Sequence, residues 1–146
     1  MKSVPRITKV QLKVNPSDEL SLIGIVSAEP DYKLSLAINR KLKIALKNNE
    51  PLKINDDGLE FSFSRFTYHD EDSELTCNLI SNRSGMNVLL KTIKNVDFIL
   101  QIHHPEAGSV EASRLFNSIR DIQGVTAVFN LQTNSMKDKN IRYLTL

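Results

Sequence analysis

The stretch VDFILQIHHPEAGS, residues 96–109, sets His103, His104 and Glu106 at the end of an apolar run. Imidazole and carboxylate side chains together can ligate a metal or trade protons. A zinc site needs three or four converging ligands, and adjacent residues on a strand point to opposite faces. His103 and His104 therefore do not share one ion while the strand persists. The remaining histidine, His69, lies in the turn HDEDSE. Pro105 ends the strand, and Glu106 stands just ahead of a helix start, where its charge is stabilised. A strand-to-helix junction accounts for all four residues, and no metal and no cofactor is expected.

Other reactive side chains read the same way. The acidic turn Asp70, Glu71, Asp72 and Glu74 lacks the residue spacing and the glycine of an EF-hand loop. Cys77 falls on the apolar face of an alternating run, LTCNLI, where a small buried thiol is ordinary. A catalytic thiol needs a neighbouring base and a lowered pKa. No phosphate-binding glycine loop, G-x-S-x-G or C-x-x-C is present. The chain is read as not an enzyme.

Two binding readings carry residues. The loop HPEAGS leads to a helix N-terminus, whose free N–H groups favour a carboxylate or phosphate. This makes His104, Gly108 and Ser109 candidate ligand-binding residues, with Gly108 allowing close backbone approach. Lys33, Arg40, Lys43 and Lys47 share one face of a helix read over 32–47, a candidate surface for nucleic acid or an acidic partner. No aromatic residues interleave with these bases, as single-strand binders generally require.

The elements that would position these residues follow from periodicity. LSLIGIVSA, 20–28, is a buried strand, and Asp31 is placed to cap the helix over 32–47. Its apolar face holds Leu34, Ala37, Ile38, Leu42, Ala45 and Leu46. Residues 48–58 form a turn-rich connection. LEFSFSRFTY and LTCNLI form a hairpin. The apolar phase slips between Phe63 and Phe66, which predicts a bulge near Ser64 and Arg65. After a loop at 81–87 and a helical turn in VLLKTI comes a central strand over 96–102. A second helix, capped by Ser109, runs over 110–122 on Ala112, Leu115, Phe116 and Ile119. Gly124 stops it, and VTAVFNLQ is the next strand. ITKVQLKV, after the N-terminus, and IRYLTL, at the C-terminus, are expected to add edge strands, with PSDE and the polar TNSMKDKN as turns. The order predicts an α+β, ferredoxin-like sandwich, mainly antiparallel, with both helices on one sheet face.

The chain has 146 residues, 40% of them hydrophobic, enough for a single domain (1–146) with a real core. A net charge of +2 is small for a protein that works by gripping nucleic acid, so nucleic acid is not the expected partner. One cysteine forbids an internal disulfide and fits a reducing compartment. No apolar run reaches the roughly 18 residues of a membrane span, and no signal-peptide pattern opens the chain. A cytoplasmic protein with no membrane partner is expected.

The segment DFILQIHHPEAGSVEASRLFNSIRDIQGVTAVFNL resembles the second half of ligand-sensing ferredoxin-like domains, such as ACT domains and those of leucine-responsive regulators. Gly124 and Val125 stand at the turn between their helix and last strand. The resemblance implies a small-molecule ligand at the loop before the helix, across a subunit interface. The order LIGI…DYKLSLAINRKLKI, FSFSRFTYHDED and KNVDFILQI is similar to a bacterial family named for its IPExxxVDY motif. Val96 and Asp97 match and Phe98 replaces the tyrosine, while Leu90, Lys91 and Thr92 stand in place of Ile, Pro and Glu. This resemblance implies a cytosolic protein and no particular chemistry.

The expected function is a non-enzymatic binding or protein-interaction module. It is read as a homodimer associating through a sheet face left uncovered near Phe61, Phe63, Phe66 and Tyr68, or through an edge strand, with an unidentified protein partner also open. An ACT-like ligand sensor and a nucleic-acid binder are the alternatives.

Overall fold

A computed structural model describes residues 19–132 and 136–145. The strand expected over 7–14, the turn at 16–18 and residues 133–135 lie outside the described residues.

Strand β1 is Leu20–Ser27, continuous in apolar residues because both its faces are covered. Ile23 and Ile25 point to one side and Leu22 to the other, all nearly inaccessible. Gly24 sits where a Cβ would come within 3.2 Å of both Leu131 and Val96. The chain then turns at Pro30 into helix α1, Asp31–Leu42. Pro30 occupies the N-cap, and Asp31 sits in the first turn, its carboxylate accepting from the Tyr32 N–H at 2.7 Å.

Helix α1 ends five residues earlier than its apolar pattern predicts. Lys43 adopts a left-handed conformation (φ 59°) as the C-cap. The Asn39 side chain then pairs with the Leu46 backbone in both directions, accepting from its N–H at 2.7 Å and donating to its carbonyl at 3.1 Å. Leu46 is buried as expected, but from the loop. Lys47 belongs to the next strand.

Strands β2 (Lys47–Asp56) and β3 (Leu59–His69) form a hairpin where a turn-rich connection is expected. Asp57 (φ 53°) and Gly58 (φ 81°) make its two-residue turn, the conformation a D-G pair favours. A bulge lies beside Ser64 as expected, but its extra residue is on the facing strand, where Glu50 and Pro51 oppose it. The irregularity lies on β2, between Asn49 and Leu52. The slip in β3 is instead a change of covered face: Phe63 is buried on one side of the sheet and Phe66 on the other.

Strand β4 (Thr76–Ser81) closes the second hairpin with β3. A small ribbon of β5 (Arg83–Ser84) and β6 (Asn87–Val88) follows, then a 3-10 turn at Lys91–Ile93 and strand β7 (Phe98–His103). Helix α2 is Gly108–Arg120, and Ala107, not Ser109, holds its N-cap position. The helix has ended by Asp121, and Gly124 (φ 99°) shapes the turn into β8, Val125–Leu131. The C-terminus, expected as a strand, is a 3-10 turn at Lys139–Ile141 and a short helix α3, Arg142–Thr145.

The protein is thus an α+β structure with a six-stranded antiparallel sheet, ordered β2-β3-β4-β7-β1-β8. Helices α1 and α2 cover one face, packing Leu34, Ile38, Ala112, Leu115 and Ile119 on Ile23, Ile25, Cys77, Leu79 and Leu100. The opposite face is not bare. Leu89, Leu90, Ile93, Ile141, Tyr143 and Leu144 lie against Leu22, Phe63, Ile80 and Ile99. The apolar pattern of the 3-10 turn and C-terminus is a lid over the sheet, so the uncovered phenylalanine face expected from the sequence does not exist. No helix among the described residues is long and apolar enough to cross a membrane.

Candidate functional site

The covering segment meets the β2–β3 hairpin imperfectly, and a cavity of about 450 Å³ remains between them. Its apolar lining is Ile54, Phe61, Phe63 and Val88, with Met86 at the lip and Lys91, Lys94, Asp56, Asn87 and Asn140 as polar groups. This volume falls in the range of about 300–1,000 Å³ common for small-ligand sites. Phe61 and Phe63 are two apart on β3, so both project to the same side of the strand. Asp56 ends β2 beside them.

The charges at this rim are unequal. Asp56 is bonded to Lys139 at 2.8 Å, an ion pair joining the hairpin to the C-terminal segment. That hydrogen bond holds the Asp56 carboxyl below the usual range and raises the Lys139 ammonium. Lys91 and Lys94 have no ion-pair partner within 4.0 Å among the described residues. Asn140 is buried, its Nδ2 donating to the Leu89 carbonyl at 2.8 Å, and its Oδ1 has no hydrogen-bond partner among the described residues.

A buried asparagine and a buried aspartate place the lysines. Asn82 is inaccessible. Its Oδ1 accepts from the Leu90 N–H at 2.7 Å, and its Nδ2 donates to the carbonyls of Val96 (2.9 Å) and Ile93 (3.3 Å). Asp138 caps the C-terminal 3-10 turn through the Asn140 N–H and accepts from the Thr92 N–H at 3.1 Å. The backbone carrying Lys91 and Lys94 is therefore fixed at both ends.

The residues expected at a ligand site behave differently. His104 Nδ1 accepts from the Glu106 and Ala107 N–H groups at 3.1 and 3.0 Å, so the ring orders the approach to α2. Gly108 is buried as the first residue of α2, and Ser109 is exposed beside it. His69, Thr76 and His103 form one cross-strand row. One strand, β4, lies between the histidines, which sets their backbones about 10 Å apart. His69 Nδ1 lies 2.8 Å from Thr76 Oγ1, and His103 Nε2 lies 3.8 Å from Glu19. Among the described residues no group of three potential ligands gathers around a metal position. Asp70 accepts from Asp72 N–H and Ser73 Oγ, so the acidic turn is internally bonded. Burial pushes the Cys77 thiol up to about 12, which keeps it protonated at neutral pH.

The four cations expected as a stripe do not form one surface. Lys33 and Arg40 line a groove of about 770 Å³ between α1 and the α2–β8 turn, joined there by Lys41 but also by Glu29 and Asp121. Lys43 sits in the C-cap, and Lys47 pairs opposite Thr67 in the sheet.

Asp97, half of the V-D pair, has a structural task. Its carboxylate accepts from the Ser27 N–H at 2.9 Å and pairs with Arg83 at 3.0 Å, while the Arg83 guanidinium also reaches the Lys94 carbonyl. Sequence reasoning placed Phe61 and Phe63 on an open face and gave Lys91, Lys94, Asn82 and Asn140 no role. The D-G pair at Asp57 and Gly58 was the available signal that β2 exists and that a hairpin wall stands here. In comparisons with family profiles, with curated proteins and with solved structures, the chain matches none.

Proposed function

We propose that the protein is a non-enzymatic binding module that takes a small ligand in the cavity between the β2–β3 hairpin and the C-terminal lid. One observation carries this reading: a pocket floored by Phe61 and Phe63 and rimmed by polar groups opens beside two exposed lysines that hold no ion pair within 4.0 Å among the described residues. Cavities with a few convergent polar groups are the usual form of ligand sites. The scaffold supports a ferredoxin-like plan. Strands β1 and β4 flank β7, and β7 and β8 flank β1, giving two interleaved split β–α–β units with the β2–β3 hairpin inserted ahead of β4. The ligand reading agrees with that of a sensor domain, at a different position from the loop before α2. The lone buried Cys77 favours a reducing, cytoplasmic setting.

A thermal-shift screen of small organic ligands tests the proposal, run in parallel on Val88→Trp, which fills the mouth. Hits that stabilise the protein and are lost in the filled variant are expected. Hits insensitive to Val88→Trp refute the cavity as the site.

A second reading, self-association, is favoured by the β8 edge. Among the described residues β8 pairs with β1 alone, carries no charge and no proline, and leaves Phe129 43% exposed. Such an edge invites pairing with a second copy. The β2 edge is blunted by Lys47, Glu50 and Pro51. Sedimentation is expected to show a dimer that Phe129→Lys converts to a monomer. A wild-type monomer at every concentration rejects this reading.

A further inference from the structure

Resting on the cavity reading above, we infer that the cavity's ligand class is a small organic carboxylate with an aromatic or medium-chain apolar body. The body is set by Phe61 and Val88, with the buried Ile54 and Phe63 behind them, side chains that offer shape and no hydrogen bonds. The charge is set by the rim. Asp56 is ion-paired to Lys139 at 2.8 Å and also feels the charge of Lys91, so Lys91 and Lys94 leave the rim net positive. A cation would meet these two ammonium groups, and a neutral ligand would leave them unused. The fixed backbone around them, held through Asn82 and Asp138, lowers the ordering cost of recognition.

The same inventory favours a carboxylate over a phosphate. Phosphate sites generally add arginine forks or a nest of backbone N–H groups. Among the lining residues the cations are both lysines. Asn140 Oδ1, buried at the wall with its amide nitrogen committed to Leu89, is an acceptor that meets no donor among the described residues. A hydroxyl or amino group on the apolar body would satisfy it. The volume of about 450 Å³ suits a single ring or a short chain and excludes a dinucleotide-sized ligand.

The test compares acids with their neutral isosteres on the full chain: phenylacetate with phenylacetamide, and hexanoate with hexanamide. Binding is followed by amide chemical shifts. The acids are expected to shift the Val88, Lys91, Lys94 and Asn140 signals and to bind about tenfold more tightly than the amides, the scale of one charge-assisted hydrogen bond. Lys91→Met with Lys94→Met, both exposed positions, is expected to erase that tenfold preference and leave amide binding unchanged. Amides that bind as tightly as acids at the same signals overturn the carboxylate assignment while the cavity stands. No shift at these signals from any of the four compounds overturns both.

Discussion

Asn82 and Asn140 grip opposite sides of one peptide group. Asn140 Nδ2 donates to the Leu89 carbonyl at 2.8 Å, and the following N–H, of Leu90, donates to Asn82 Oδ1 at 2.7 Å. One asparagine belongs to the end of β4 and the other to the C-terminal segment, so the peptide between Leu89 and Leu90 ties the sheet to its lid. Both flanking leucines are fully buried. Each hydrogen bond of this clamp is made in a buried setting, where losing one partner leaves the other costly.

Replacement of Asn82 by alanine is therefore expected to be severe. It orphans the Leu90 N–H and the Val96 carbonyl at once, and leaves the Ile93 carbonyl with the Val96 N–H alone. At about 1–3 kcal/mol for each unsatisfied buried group, a loss of about 3 kcal/mol or more is expected in urea unfolding. A loss below about 1 kcal/mol shows that the clamp is dispensable.

Leu144→Ala is expected to cost about 2–5 kcal/mol, the range for a fully buried leucine. Its side chain is inaccessible and packs with Leu22, Phe63 and Ile80 although it comes from a four-residue helix. Gln101 Nε2 also donates to its carbonyl at 2.5 Å. Chemical denaturation measures the loss, and a neutral result means that the lid contributes no packing to the fold.

Cys77 gives a pH signature. Burial raises its thiol from an ordinary 9 to about 12 in the folded chain. The unfolded chain therefore ionises first: the stability is whole below about pH 9 and falls as pH rises toward 12. The full span corresponds to on the order of 4 kcal/mol. The stability difference between wild type and Cys77→Ala is expected to shrink steadily from pH 8 to the highest workable pH. A difference constant with pH contradicts the burial. The native thiol is also expected to resist iodoacetamide until the protein unfolds.

Asp97→Ala removes the acceptor of the Ser27 N–H and the partner of Arg83. Ser27 is 4% exposed, so a loss of about 1–3 kcal/mol is expected. Arg83→Ala is expected to cost less, because the Arg83 side chain is 43% exposed. Equal losses from the two changes refute this ranking.

The central strands, the β3–β4 hairpin and the apolar face of α2 were legible because their periodicity is local. The end of α1 was not. Ala45 and Leu46 continue the helical pattern, and the stop comes from Asn39 bonding to Leu46. The phenylalanines of β3 were misread for a related reason: a shift in phase looks the same whether a bulge or a change of covered face causes it. The cavity was invisible because its walls come from three distant segments, and buried asparagines such as Asn82 carry no local signature. The C-terminal IRYLTL alternates weakly like a strand, but its side chains are used to cover one.

The most direct measurement is a fragment screen of the full chain read by amide chemical shifts. The account expects the hits to gather on Phe61, Phe63, Val88, Lys91, Lys94 and Asn140. Hits gathering instead along the α1 groove at Lys33 and Arg40, or at His104 and Ser109, contradict it, as does a screen in which no fragment moves the cavity signals.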